Sequence, residues 1–220
     1  MRTFNFFLKR CFDICVSLVC ILLLTVIPVL IIIPIAIRLD SRGPALFKQV
    51  RAGKDGKLFT MYKFRTMIVE QYNPDGSEIM SEDRITKLGR LLRKTSLDEL
   101  PQLFNILEGT MSIVGPRPML DYQVDRCIGD EKLRFAVRPG LTGLAQVKGR
   151  NNLTWPERIQ YDIEYVRNFS FWLDIKVLFG TVMLVLRHSG TEVKPEYRGA
   201  DRFSKHYIPP EENDSAAEDN

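Results

Sequence analysis

Residues 14–37 contain no charged side chain, and isoleucine, leucine and valine dominate them. A run of this length reaches the ~20 apolar residues that a helix needs to cross a bilayer. It is too long for the apolar region of a cleaved leader, and RLDSRGP follows it instead of a small-residue cleavage site. Two features argue against a straight span. Pro28 and Pro34 each remove a backbone donor and disfavour helix at the residue before them. Basic residues stand on both sides: Arg2, Lys9 and Arg10 before the run, and Arg38, Arg42, Lys48 and Arg51 after it. Basic flanks favour the cytoplasmic face, so this arrangement selects no orientation. A transmembrane helix and a bent helix that returns to its own leaflet both remain open on these residues.

The rest of the chain, about 170 residues from Arg38 to Tyr207, suffices for one hydrophobic core. The formal net charge of +4 is mild. It excludes a nucleic-acid coat and suits a surface facing anionic lipid or a phosphorylated substrate. Four cysteines with no CxxC pair, and only two histidines, His188 and His206, argue against a zinc site or a disulfide framework. That usage fits a reducing, cytoplasmic-side location.

Residues 45–50 and 58–65 read as strands, joined through Asp55-Gly56 as a hairpin. Residues 72–80 read as a polar loop. Helical spacing predicts a helix from about Ser81 to Lys94, with Ile85, Leu88, Leu91 and Leu92 on one face. A second starts near Leu97 and carries Leu100, Leu103, Phe104 and Leu107. Ser96 to Glu99 has the form of a capping box, and Pro101 is tolerable so close to a helix start. Three glycines within 138–151 imply sharp bends or close backbone approach. Thr154 to Glu157 is another capping box, opening a helix with Ile159, Ile163 and Val166 inward. Residues 171–186 are apolar, but Asp174 and Lys176 make them a core or membrane-surface helix. The tail after Ile208 has a disordered composition.

The chemistry concentrates in RKTSLDELPQLFNIL, residues 93–107. A helix start favours an ionised Asp98 and also attracts phosphate. Such a carboxylate is a plausible nucleophile toward phosphorus once a cation screens the two anions, and Glu99 is the candidate ligand for Mg²⁺. Adjacent helical side chains point about 100° apart, so different roles suit the pair better than a shared proton. The competing reading makes both residues mere helix caps. Lys63, Arg65, Arg93, Arg117 and Arg150 form a basic set in turn-rich segments, and arginine suits bidentate phosphate contact. No phosphate loop, dinucleotide fingerprint, D-x-D pair or G-x-S-x-G elbow occurs.

Six stretches, KRCFD, GPALFKQVRAGKDGKLFTMYKFRTM, LGRLLRKTSLDELPQLFNIL, SIVGPRPM, VRPGLTGLAQVKGRN and FSFWLDIKVL, resemble in order and spacing the bacterial sugar transferases, the monotopic phosphoglycosyl transferases. The match runs from about residue 9 to 186. The resemblance implies an α+β, mostly helical fold. A re-entrant membrane helix over 1–40 would break at Pro28, where Ile27 replaces the family's frequent serine. A catalytic domain over 41–207 would hold a β-hairpin and membrane-surface amphipathic helices, followed by an acidic disordered tail over 208–220. It also implies a ping-pong reaction. Asp98 would attack the β-phosphate of a UDP-sugar and release UMP. Polyprenyl (undecaprenyl) phosphate would then take the phosphosugar, with Glu99 binding Mg²⁺. Lys63, Arg93, Arg117, Gln146 and Arg150 match family positions near the phosphates and nucleotide, and Arg65 belongs to the same YKFRTM motif. The expected place is the cytoplasmic face of the bacterial inner membrane. The expected partners are lipid, the two substrates, a second copy and downstream glycosyltransferases, without nucleic acid.

The chain looks like the minimal catalytic form of larger relatives. The usual family stretch GWAQVNGRN is altered at Leu144 and Lys148, which points to changed sugar or nucleotide contacts or changed membrane seating. Two other readings compete: a non-catalytic membrane scaffold of a polysaccharide assembly complex, and a conventional glycosyltransferase that releases UDP. The missing D-x-D pair argues against the latter. The sugar itself is open.

Overall fold

A computed structural model describes residues 2–72, 79–80, 82–149, 152–186 and 203. The N-terminal apolar run forms two helices, α1 (Arg2–Val26) and α2 (Val29–Asp40), bent by 63° at Ile27-Pro28. Among the described residues no single helix is long and apolar enough to cross a membrane, and this bent pair passes that test only together. Pro28 breaks the ladder because it has no N–H, and its carbonyl then accepts from Ile31 and Ile32 to start α2. Pro34 lies inside α2 without ending it.

Strands β1 (Leu46–Ala52) and β2 (Leu58–Phe64) pair antiparallel, Leu46 opposite Phe64 and Ala52 opposite Leu58. Asp55 and Gly56, at φ 56° and 73°, make the expected turn. Helix α3 (Lys87–Thr95) starts later than its periodicity predicts. The Thr86 hydroxyl caps it by accepting from Gly89 N. The residues just before are held in extended pairing with 66–68: Ile68 N donates to Arg84 O, and Thr86 N to Thr66 O. Its inward face is also narrower than expected, because Leu92 is buried while Leu91 is 55% exposed.

The predicted capping box at Ser96 does not form. Ser96 is left-handed (φ 58°) and terminates α3, its N–H donating to Leu92 and Arg93 carbonyls. A short 3-10 turn over Leu97–Glu99 follows, and α4 (Gln102–Glu108) begins after Pro101. Of the apolar residues at helical spacing here, Leu103 is buried and Phe104 exposed.

A parallel pair, β3 (Ser112–Val114) and β4 (Gly140–Thr142), was not anticipated. Its backbones approach so closely that a Cβ on Gly140 would lie 2.1 Å from Gly115 N. The glycines of this stretch therefore serve close approach. Then come α5 (Leu144–Lys148), α6 (Trp155–Arg167) and α7 (Phe171–Leu186). The Thr154–Glu157 capping box forms as predicted.

The main core joins Leu103 and Ile106 of α4, Ile113 and Val114 of β3, Tyr165 and Val166 of α6, and Val177 of α7. Helix α1 packs on it through Phe12 and Val16, and three polar side chains pin it there. Lys9 Nζ lies 2.6 Å from Asp174 Oδ2, whose other oxygen accepts from Tyr165. Asp13 accepts from Ser112 Oγ and Ile113 N. Arg10 donates to the Ile106 and Leu107 carbonyls in the last turn of α4. Ile33 and Ile37 of α2 enter a second cluster with Phe64 and Leu92. The KRCFD motif thus fastens the apolar helix to the domain. The domain limit at 207 and the tail over 208–220 lie outside the described residues.

Candidate active site

The left-handed turn at Ser96 presents Asp98 and Glu99 between α3 and α4. Glu99 is not a helix cap. Its Oε1 accepts from Lys63 Nζ of β2 at 3.0 Å and from Arg117 Nη2 at 2.9 Å. Burial alone would raise the Glu99 carboxyl, but the charges of Arg117 and Lys63 outweigh it and bring it down to about 2. Its Oε2 has no hydrogen bond among the described residues.

Asp98 is only 9% exposed and makes no side-chain hydrogen bond or ion pair among the described residues. Burial and the neighbouring Glu99 charge push its carboxyl above the ordinary value, against the pull of Lys63, Arg93 and Arg117. Burial, followed by the charge of Arg117, lowers Lys63, with both carboxylates opposing.

A cavity of about 1720 Å³ opens beside this turn. Ser96 and Glu99 line it, while Asp98 between them does not. Its lining is apolar at Cys20 and Leu24 of α1 and at Leu178 and Val185 of α7. It is polar at Arg93, Arg117, Arg134, Gln146, Arg158 and Asp162. Thus Arg93, Arg117 and Gln146 all line this cavity, and Lys63 is joined to it through Glu99. Arg93 is oriented by Thr66, whose Oγ1 accepts from its Nε at 2.8 Å.

Arg65 does not join them. Its donors go to Ser41 Oγ and the carbonyls of Ser41, Pro44 and Met67, at the end of α2. The reason is burial: at 7% exposure the guanidinium is satisfied by backbone. Arg150 lies outside the described residues. Leu144 is buried in the main core, while Lys148 is exposed.

Sequence reasoning missed Arg134, Arg158 and Asp162. Arg134 donates to Asp162 Oδ2 at 2.7 Å, and both are nearly fully buried. Burial pushes Asp162 up to about 6 against the pull of Arg134. A signal was present in the flanks of two motifs already singled out: Arg134 precedes the VRPG stretch, and Arg158 follows the Thr154 capping box.

Among the described residues no three metal-binding side chains cluster. The dyad nevertheless suits Mg²⁺, which takes one or two carboxylates and completes its shell with water and substrate phosphate. Oε2 of Glu99 is the oxygen left for it.

Comparison with known proteins gives a consistent result. The family profile described as bacterial sugar transferase matches residues 4–188. The chain is 45% identical over 198 residues to the uncharacterized sugar transferase EpsL of Bacillus subtilis, covering 90% of this chain and 96% of that protein. It is 40% identical to the undecaprenyl-phosphate galactose phosphotransferase of Salmonella typhimurium, over 84% of this chain and 41% of that one. It is 44% identical to the UDP-glucose:undecaprenyl-phosphate glucose-1-phosphate transferase of Klebsiella pneumoniae, over 81% and 40%. The chain therefore spans nearly all of the first relative and about two fifths of the other two. With its profile matched over most of its length and its dyad set beside a basic cavity lining, the chain belongs to the bacterial sugar transferase family.

Proposed function

We propose that this chain transfers a sugar 1-phosphate from a UDP-sugar to undecaprenyl phosphate at a membrane surface, through a covalent Asp98 intermediate. The observation that carries this reading is a cavity lined both by apolar side chains of α1 and α7 and by arginines with Glu99. A lipid phosphate and a water-soluble diphosphate are the two reactants that such a lining suits. The names of the Salmonella and Klebsiella relatives describe undecaprenyl phosphate and galactose or UDP-glucose chemistry, which supports the same assignment.

Asp98 attacks the β-phosphorus of the donor, and the bond from that phosphorus to the bridging oxygen breaks. UMP departs with the electron pair. A lipid phosphate oxygen then attacks the aspartyl phosphosugar, the phosphorus–aspartate bond breaks, and polyprenyl diphosphate sugar forms with Asp98 regenerated. Among the described residues Asp98 has no side-chain hydrogen bond to surrender when it turns into the cavity. Its raised carboxyl makes it a stronger base once ionised, and the three nearby cations offset the repulsion between anions. Glu99 holds Lys63 and Arg117 in place. Mg²⁺, when bound at Glu99, supplies charge neutralisation at the diphosphate. The bent helix pair serves as a re-entrant wedge, keeping the domain on the cytoplasmic face at headgroup depth.

The test is nucleotide release from a panel of UDP-sugars with Mg²⁺ and undecaprenyl phosphate. The expected result is UMP from at least one donor, lost at least about 10³-fold in Asp98→Asn. UDP release indicates a conventional glycosyltransferase, and a fully active Asp98→Asn excludes the nucleophile.

A further inference from the structure

The loop that carries Arg117 reads Gly-Pro-Arg-Pro over residues 115–118. Pro116 and Pro118 have no N–H, which leaves carbonyls as the loop's main points of attachment. Four carbonyls in a row are held, each by a donor from another part of the chain. Pro116 O accepts from Gly140 N at 2.8 Å and Met119 O from Ala52 N at 2.9 Å. Between them, Arg117 O accepts from Arg134 Nη2 at 2.9 Å and Pro118 O from Arg51 Nη1 at 3.2 Å. The outer two donors are backbone amides, and the inner two are guanidinium groups.

Both guanidinium groups are themselves tied down. Arg51 donates to Gln49 Oε1 through Nε and Nη2. Arg134, on the 3-10 segment Gly129–Ala136, uses the same Nη2 to reach Asp162 Oδ2 of α6 at 2.7 Å. Arg134 and Asp162 are nearly fully buried. The Arg117 side chain is half-exposed, and Glu99 is its one side-chain partner among the described residues. A long side chain with a single contact is aimed chiefly by where its backbone stands. A buried ion pair adds little stability beyond a well-packed apolar pair of similar bulk. What the Arg134–Asp162 pair does, and an apolar pair cannot, is grip a carbonyl. We propose that Arg134, held by Asp162, is a positioning residue for the donor: it fixes the Arg117 backbone so that the Arg117 guanidinium meets the donor's diphosphate beside Glu99. This inference rests on the UDP-sugar reading above.

The test is calorimetric binding of UDP, which carries that diphosphate, to the full chain in nanodiscs. Arg117→Met should weaken UDP at least about tenfold, as for loss of a charged hydrogen bond. Two neutral replacements of the pair, Arg134→Met/Asp162→Leu and Arg134→Leu/Asp162→Met, guard against a packing fault in either one. Each should weaken UDP about fivefold or more while unfolding near the wild-type midpoint. Arg134→Lys, whose ammonium has donors for both oxygens, should stay within about twofold of wild type. In an Arg117→Met background the neutral pairs should weaken UDP no further, because residues that act through one another are not additive. A folded neutral pair that binds UDP like wild type overturns the positioning role, and so does a loss that persists undiminished in Arg117→Met. Failure of both pairs to fold overturns it as well, since the ion pair then serves the fold. Arg117→Met that binds UDP like wild type overturns this inference alone. Folded wild-type protein that binds neither UDP nor any UDP-sugar overturns the donor reading, and this inference with it.

Discussion

Asp98 and Glu99 are neighbours in the chain, yet their carboxyls are displaced in opposite directions. Glu99 is brought to about 2 because Arg117 and Lys63 overcome its burial. Asp98 is raised because burial and Glu99 overcome the pull of Lys63, Arg93 and Arg117. A carboxyl that titrates late in the folded state destabilises the fold when ionised. Below the ordinary value of 3.8 the folded and unfolded states are both protonated, and the penalty vanishes. Asp98→Asn should therefore match or exceed wild type in Tm at pH 7, while turnover is lost. The Tm advantage should close as pH falls below the ordinary value. Thermal scans at pH 7 and at pH 3.5 check this. A marked loss of stability in Asp98→Asn at pH 7 would return the residue to a structural role. Glu99 has the opposite sign, and its stabilising pairing is present above 4.5 and lost as pH falls toward 2.

At the scale of elements, Arg65 marks where motif reading and packing diverge. It stands two residues from Lys63 in the same strand motif, but in opposite service. Lys63 meets Glu99, and Arg65 gathers the carbonyls at the end of α2. Arg65→Ala should cost roughly 2–3 kcal/mol, as expected when a buried charged donor set is removed. The donor KM should stay unchanged. Unfolding midpoints and initial-rate kinetics separate this from a phosphate-binding role, in which KM would rise. The same contrast shows what the sequence could disclose. The break at Pro28, the Asp55-Gly56 turn, the Thr154 cap and the dyad are local, each written in two to four adjacent residues. The late start of α3 and the β3–β4 pair depend on partners far along the chain, and periodicity carries no trace of them. Arg134 and Asp162 were hidden for the same reason: their pairing joins positions 28 residues apart.

The whole molecule constrains how its apolar surface can meet a bilayer. Leu22, Ile31 and Ile35 on the bent pair and Trp172 and Phe179 on α7 are each more than half exposed, an area of apolar surface that calls for a partner. Both ends of the bent pair are tied to one domain. Lys9, Arg10 and Asp13 hold the start of α1, and Arg65 holds the chain just after α2. A straight span would require that domain on both faces at once. With 12 residues, α2 is also only about 18 Å long, short of the ~30 Å hydrocarbon core. A wedge that enters and returns meets both constraints. Single cysteines at Thr3 and Arg42, both exposed, should therefore react with an impermeant maleimide from the same side of sealed vesicles in a background free of native cysteines. Arg42 is preferred to Ser41, whose hydroxyl is engaged by Arg65. Reaction from opposite sides would mean that the pair straightens in lipid, and the contacts of Arg65 with the end of α2 would then have to break.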